Sequence, residues 1–271
     1  MHDARLLEHT CAINACNQRG RRMLSLIDLI DAGTVDVPLA AYLAAAMRRG
    51  ASLLVGARPG GAGKTAVMCA LLNFLPDNTE IRPVDNRAVL AEGLHDEKPG
   101  ATCYLAHEIG AGFYYAYLWG SDARAFFGLA SHGHIIASNL HADTLEETHD
   151  QLCLENGVAP AYLAAVTLKL YLRLNRVDGV SVQRRISHIY ESDGAQDRLL
   201  WRWNRHSSTF ERQDIASAVV SPVEENELAK FLTMLRRKDI RHIEDVRRAL
   251  LEQSKPALYP CEGSKRVSDY A

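Results

Sequence analysis

The stretch LLVGARPGGAGKTAVMCALL, residues 53–72, decides the fold. It runs from a short apolar segment through a glycine-rich turn into residues of helical composition, which is the strand, loop and helix order of a phosphate-binding P-loop. Glycines let successive backbone N–H groups point at phosphate oxygens, and the positive end of the following helix adds to that attraction. We therefore predict a P-loop that binds a nucleoside triphosphate, formed by Gly60, Gly61, Ala62, Gly63, Lys64, Thr65 and Ala66.

Two side chains of this loop carry specific chemistry. Lys64 is expected to neutralise the terminal phosphates, and the hydroxyl of Thr65 to bind the Mg²⁺ that bridges them. The pattern G-x-x-x-x-G-K-[ST] places its first glycine at position 58, where this chain has Arg58, and Gly56 lies two positions earlier. The alternative is a glycine-rich turn that caps an ordinary helix. The apolar run before the glycines and the helix after them favour phosphate binding.

Composition describes an ordinary soluble globular protein. The chain has 271 residues, 47% of them hydrophobic, and 31 Lys and Arg against 33 Asp and Glu. This near-neutral balance disfavours a nucleic-acid partner. Six scattered cysteines indicate reduced thiols rather than a zinc site. We expect a cytoplasmic protein, because we see neither a signal peptide nor an apolar run approaching about 20 residues, and any membrane association through a partner.

Apolar runs that alternate with helical segments predict an α/β fold with a largely parallel sheet. Strand-like runs follow the glycine loop at 103–109, 113–119 and 134–140, and the last two flank a helical segment at 121–131.

The second half of the chain is predicted to add helices and a hairpin. Residues 145–157 and 162–174 have helical composition, and a hairpin is expected from 181–192 and 198–205. From Ser221 the sequence becomes amphipathic and charged. We predict a lead-in segment at 1–22, a P-loop ATPase domain at 23–220 and a helical C-terminal domain at 221–271.

Several segments around the loop resemble the type II/IV secretion and pilus-assembly ATPases, in particular their archaeal-type and tight-adherence branches. The segment GHIIASNLHADTLEE (133–147) resembles the family's histidine box, with His134 opening a strand and His141 following its end. Further resemblance lies in LIDLIDAGTVDVPLAAYLAAAMRRGASLLV (26–55), RRISHIYE (184–191) and FLTMLRRKDIRHIEDVRRAL (231–250). The resemblance covers most of the chain, although we expect no counterpart of the family's large N-terminal domain.

This resemblance implies a RecA-like ATPase core that binds ATP and Mg²⁺. It also implies assembly into a homo-oligomeric ring, usually a hexamer, working with a membrane-embedded secretion or pilus platform. His141 is expected to sense the γ-phosphate or the attacking water. His132 and His134 are weaker candidates, because histidines at the start of a strand are frequently structural.

Hydrolysis also needs carboxylates, and here the family's acidic motifs diverge. Asp85 takes the place of the first Glu in the acidic box, whereas Asn86 and Val89 replace the other two acids. Two alignments are possible for the acid that holds Mg²⁺ through water. One uses Glu108 at the end of the strand 103–109, which we favour, and the other places Tyr117 at that position.

Two further assignments stay open. Arg19, Arg21 and Arg22, or Arg184 and Arg185, are candidates for arginine fingers acting in trans, although solvated charges are the more ordinary interpretation. The function predicted first is an ATP-hydrolysing ring motor. The alternative is a nucleotide-binding relative that does not hydrolyse ATP and acts as an oligomeric regulator or scaffold.

Overall fold

The computed structural model describes residues 2–17, 22–96, 98, 100–112, 114–177 and 181–253. Within these residues the strands form one nine-stranded sheet. They are β1 (Leu53–Gly56), β2 (Glu80–Pro83), β3 (Thr102–Ile109), β4 (Tyr117–Leu118), β5 (Ile135–Leu140), β6 (Leu168–Val177), β7 (Ser181–Ser192), β8 (Asp197–Asn204) and β9 (Thr209–Arg212).

Helices precede, interrupt and follow the strands along the chain. They are α1 (His2–Ala15), α2 (Leu26–Asp31), α3 (Val37–Arg48), α4 (Lys64–Leu72), α5 (Arg87–His95), α6 (Ser121–Ser131), α7 (Leu145–His149), α8 (Pro160–Ala164), α9 (Pro222–Arg237) and α10 (Ile243–Gln253). A π-helical segment, Asp150–Glu155, continues α7.

The sheet has a parallel half and an antiparallel half. Strands β2, β3, β5, β1 and β6 lie side by side in that order and run parallel. Strands β7, β8 and β9 then extend the sheet by antiparallel pairing, and the short β4 pairs with β3. The predicted α/β class is confirmed, with the glycine loop joining β1 to α4.

Helices cover both faces of the parallel half. Because successive residues of a strand point to opposite faces, β1 contributes side chains to a core on each side. Leu53 and Val55 of β1 belong to a core shared with α2, α3, α4, α9 and α10. Leu54 belongs to a second core, shared with α5 and α6. Burial on both faces holds β1 rigidly at the centre of the sheet, and β1 in turn positions the glycine loop.

Two element predictions were wrong. Residues 162–174 were expected to be helical, but α8 ends at Ala164 and β6 begins at Leu168. Leu168, Leu170 and Leu172 alternate and are buried against the same core as β1. The period of two and the pairing with β1 outweigh the helical propensity of this leucine-rich segment.

The aromatic run 113–119 was expected to be a strand, but among its described residues only Tyr117 and Leu118 pair with β3. Ala116 has a left-handed backbone with φ 53°, which breaks the extended conformation. Tyr114 and Tyr115 are exposed. Phe113 lies outside the described residues. Tyr114 and Tyr115 therefore lie at the surface and do not belong to a buried strand.

The C-terminal helices pack on the body of the protein. Ser221 caps α9 with a capping box to Glu224, and Leu228, Leu232 and Leu235 lie in the core that contains α3. The division of the chain at residues 22 and 220 stays a prediction, and residues 254–271 lie outside the described residues. Within the described part of the chain, no helix combines the length and the apolarity that a membrane crossing requires.

Candidate nucleotide-binding site

The loop between β1 and α4 has the backbone of an anion-binding turn. Gly61 and Gly63 adopt left-handed conformations, with φ 77° and 98°, which residues with a Cβ rarely adopt. Gly63 is the N-cap of α4, and no side chain caps that helix. The first amide groups of α4 therefore have no side-chain acceptor, and they form the kind of site that binds phosphate.

Arg58, which replaces the expected first glycine, is held by residues that follow β5. Its backbone N–H donates to Asp143 Oδ1 (2.9 Å), and its guanidinium forms an ion pair with Glu147 (2.9 Å). Gly56, two residues earlier, is tightly enclosed, because a Cβ there would lie 2.5 Å from the Ala142 carbonyl oxygen. The early part of the loop is thus fastened to the segment after β5.

Lys64 and Glu108 form a buried ion pair at the base of the loop. Lys64 Nζ lies 2.7 Å from Glu108 Oε1 and donates to the Ala57 carbonyl oxygen (3.0 Å). Glu108 is only 6% exposed. Burial opposes its ionisation, but Lys64, Tyr117 and His141 outweigh burial and lower the pKa of Glu108 below its ordinary value. Glu108 is therefore a carboxylate at neutral pH.

Tyr117 and Glu108, the two alternatives for the same catalytic position, lie side by side. They are partners in the parallel register of β3 and β4, and the Tyr117 hydroxyl donates to Glu108 Oε2 (2.8 Å). Burial, together with this carboxylate, raises the pKa of Tyr117 to about 12. Of the two residues, Glu108 therefore carries the negative charge, and Tyr117 donates a hydrogen bond to it.

Of the three histidines considered, one reaches this cluster. His141 Nε2 lies 3.1 Å from Glu108 Oε1, and its side chain is 48% exposed. His134 is 2% exposed and packs edge-on against the Tyr104 ring. His132 is exposed at the end of α6, where Nδ1 contacts the Gly128 carbonyl oxygen (2.8 Å). His132 and His134 therefore contact residues outside the cluster around Glu108.

Asn139 is a site residue that the sequence analysis missed. It lies on β5, between β1 and β3, and its Nδ2 donates to Thr65 Oγ1 (3.3 Å) and to the His107 carbonyl oxygen (2.8 Å). The Asn139 side chain thus links the loop to the strand that carries Glu108. The polar pair Ser138 and Asn139 near the end of the strand-like run 134–140 was the available signal.

Asp85 lies apart from these contacts. It follows β2, which is separated from β1 by two strands, and it is exposed. Its hydrogen bond comes from the neighbouring Asn86 Nδ2 (2.7 Å), and within the described residues it forms no ion pair. Its catalytic role stays a prediction that these contacts do not support.

The side chains next to the glycine loop offer oxygen atoms of the kind that bind Mg²⁺ together with a nucleotide. In such sites Mg²⁺ binds few protein ligands, because phosphates and waters supply the others. Thr65 offers a hydroxyl, and Asn139, whose Nδ2 donates to that hydroxyl, has a buried Oδ1 without a hydrogen-bond partner among the described residues. No cluster of three or more His, Cys, Asp or Glu suitable for a metal occurs in the described ranges.

Solved structures that are similar to this chain include two ATPases. The VirB11 ATPase of the Brucella suis type IV secretion system, in complex with sulphate, is 21% identical over 61% of this chain and 54% of its own, with a TM-score of 0.44. The Legionella pneumophila ATPase DotB is 12% identical over 89% of this chain and 62% of its own, with a TM-score of 0.37.

The aligned part of this chain thus spans less than two thirds of either structure. No family model and no curated protein matched the sequence. Similarities of this size do not identify a function, so the function proposed below rests on the site and on the sequence motifs.

Proposed function

We propose that this chain binds ATP with Mg²⁺ at the P-loop and hydrolyses it. The observation that carries the proposal is the convergence of two side chains on Glu108 Oε1, which lies 2.7 Å from Lys64 Nζ and 3.1 Å from His141 Nε2. These residues come from three separate segments, and they meet next to a glycine loop whose helix has no side-chain cap. Phosphoanhydride hydrolysis beside a phosphate loop uses a cation that binds the phosphates and a residue that orients the attacking water.

Each residue has a proposed role in that reaction. Backbone amides from Gly60 to Ala66 bind phosphate oxygens, and Lys64 exchanges Glu108 for the terminal phosphates. The released carboxylate then orients the attacking water. His141, half exposed at the mouth of the cluster, contacts the γ-phosphate or that water. Thr65, with Glu108 through water, would hold Mg²⁺, which neutralises phosphate charge when bound.

The resemblance of the histidine box and the flanking segments supports a motor of the type II/IV secretion or pilus-assembly kind. In this proposal the chain forms a homo-oligomeric ring, a hexamer in the related family, and acts on a membrane-embedded platform. Loss of the γ-phosphate would shift the subunits relative to one another.

Nucleotide measurements on matched variants test the proposal. ATP affinity and steady-state phosphate release are measured for wild type, Lys64→Ala and Glu108→Gln, with exposed Lys230→Ala and Glu227→Gln on α9 as controls. We expect Lys64→Ala to bind ATP at least about tenfold more weakly, because it loses a charge-assisted contact. Glu108→Gln should bind ATP and lose turnover. Both controls should match wild type.

Molecular mass, measured by light scattering with and without ATP, tests the ring. Turnover per subunit should rise with protein concentration as the ring assembles. A wild type that binds no ATP would show that the proposed function is wrong, and turnover unchanged in Glu108→Gln would remove Glu108 from its role.

One observation favours a second function, that of a nucleotide-binding regulator without turnover. Both carboxylate oxygens of Glu108 already have partners, Lys64 and His141 at Oε1 and Tyr117 at Oε2. A carboxylate accepts about four hydrogen bonds in all, so one that keeps these three partners when ATP binds has little capacity left to orient a water. Tight ATP binding without phosphate release, at every protein concentration, would support this second function.

A further inference from the structure

Arg184 lies across the glycine loop, although it is distant from the loop in sequence. Its Nε donates to the Gly61 carbonyl oxygen (3.1 Å). Its aliphatic part covers Gly63, since a Cβ built on Gly63 would lie 3.3 Å from Arg184 Cδ. The two glycines with left-handed backbones in the loop are thus the two that Arg184 touches.

The sheet topology places Arg184 there. Strand β6 pairs with β1 up to Gly56, which lies opposite Tyr171, and then continues beyond the end of β1. Strand β7 returns alongside β6 with Arg184 opposite Leu174. The β6–β7 ribbon therefore extends past β1 over the loop, and Arg184 belongs to the extended part.

Arg184 has no acidic partner among the described residues. Among the described residues, Lys64 is paired with Glu108 and Arg58 with Glu147, whereas Arg184 is exposed and forms no ion pair. Within the same residues, its two terminal guanidinium nitrogens have no hydrogen-bond acceptor. An arginine with an unpaired charge and several free N–H groups matches the geometry of phosphate oxygens.

We propose that Arg184 binds a phosphate group of the nucleotide held by its own subunit. The inference rests on the proposed function, since it assigns a further residue to the same site. Glu108 neutralises part of the positive charge of Lys64. Arg184 then adds positive charge at the phosphates from within the same chain. The competing interpretation is that Arg184 only shapes the loop through the Gly61 carbonyl oxygen.

Substitutions at position 184 separate these roles. Arg184→Gln keeps an N–H donor that can reach Gly61 but has no charge, whereas Arg184→Lys keeps the charge. The matched control is Arg202→Gln, because Arg202 is an exposed arginine on β8 paired with Glu211. Affinities for ATP, ADP and AMP are measured at low and high salt, and each variant is checked by its melting temperature.

We expect Arg184→Gln to bind ATP about tenfold more weakly or worse, with a smaller loss for AMP and a weaker dependence on salt. Arg184→Lys should recover part of the affinity, and Arg202→Gln should stay within about twofold of wild type. If Arg184→Gln binds ATP like wild type while Lys64→Ala does not, the phosphate contact is wrong and the proposed function stands. If wild type itself binds no ATP, the proposed function and this inference are both wrong.

Mixing Lys64→Ala with Arg184→Gln subunits tests that the contact lies within one subunit. If Arg184 acted on the site of a neighbouring subunit, a Lys64→Ala subunit would supply Arg184 to the site of an Arg184→Gln subunit, which keeps Lys64. Mixed assemblies would then contain complete sites. We expect no recovery of ATP binding on mixing. Recovery would overturn the assignment of Arg184 to its own subunit.

Discussion

At the scale of single residues, the Glu108 carboxylate organises the site. It accepts a hydrogen bond from Tyr117, contacts Lys64 and His141, and is almost completely buried. A buried pair is costly to desolvate, and leaving one member without its partner destabilises a protein strongly. If Lys64 leaves Glu108 for the phosphates, as in the proposed function, nucleotide binding has to compensate for a broken ion pair.

Tyr117→Phe tests the support that the tyrosine gives to this carboxylate. The variant loses a hydrogen bond to a charged group, so the free energy of unfolding at pH 7 should fall by about 1–2 kcal/mol. The Tyr117 bond is one of the causes that lower the pKa of Glu108, so removing it should raise that pKa. Urea denaturation of both proteins at pH 7 and pH 3 measures the effect.

The sign of the pH dependence follows from the lowered pKa. Ionised Glu108 contributes stability that is fully present above its ordinary pKa of 4.5 and is lost as the pH falls through the lower folded value. The difference between wild type and Tyr117→Phe should therefore shrink at pH 3. Tyr114→Phe, an exposed neighbour, is the control. An equal difference at both pH values would contradict the coupling.

At the scale of elements, the backbone at the end of β1 lies very close to the segment after β5 and to β6. Gly56 lies where a Cβ would meet the Ala142 carbonyl oxygen at 2.5 Å and the Tyr171 ring at 2.8 Å. A backbone atom cannot swing aside as a side chain does, so any larger residue has to separate β1 from its neighbours. Gly60 in the same loop is the opposite case, because a Cβ there meets nothing within 4 Å.

Alanine at these two glycines should therefore behave differently. Gly56→Ala should lower the free energy of unfolding by about 1–3 kcal/mol, as overpacking does. Gly60→Ala should change it by less than about 0.5 kcal/mol. Thermal or urea unfolding followed by circular dichroism measures both. A Gly56→Ala protein as stable as wild type would show that β1 and the segment after β5 can move apart at little cost.

At the scale of the whole molecule, the C-terminal helices share a core with the sheet. Leu228, Leu232 and Leu235 of α9 lie in the same apolar cluster as α3 and β1. Apolar contact across the predicted boundary at residue 220 couples the stability of the two parts. The described part of the chain is therefore expected to unfold cooperatively, even though the sequence changes character at Ser221.

Leu232→Ala tests this coupling. Leu232 is fully buried, and truncation of such a leucine costs about 2–5 kcal/mol. Scanning calorimetry should show one transition in wild type, displaced as a whole to lower temperature in the variant. Val223→Ala is the control, because Val223 is 67% exposed at the start of the same helix. Two transitions, of which only one moves, would instead support an independent C-terminal domain.

Local signals in the sequence were sufficient for the parts of this protein that depend on neighbouring residues. The glycine loop, the strand before it and the helix after it follow from one continuous stretch, since backbone conformation and helix capping are set within a few residues. The hairpin of β7 and β8 and the start of α9 after Ser221 were predictable for the same reason. The α/β class followed from the alternation of such signals.

Tertiary structure alone decided what surrounds the loop. Whether residues 162–174 formed a helix or a strand depended on pairing with β1. Only the pairing of β3 with β4 showed that Glu108 and Tyr117, the two alternatives for one catalytic position, lie side by side. Asn139 and Arg184 reach the loop only because β5 and the β6–β7 ribbon are its neighbours in the sheet. These contacts join residues far apart in the chain, and their free energy exists only once the strands have taken their order.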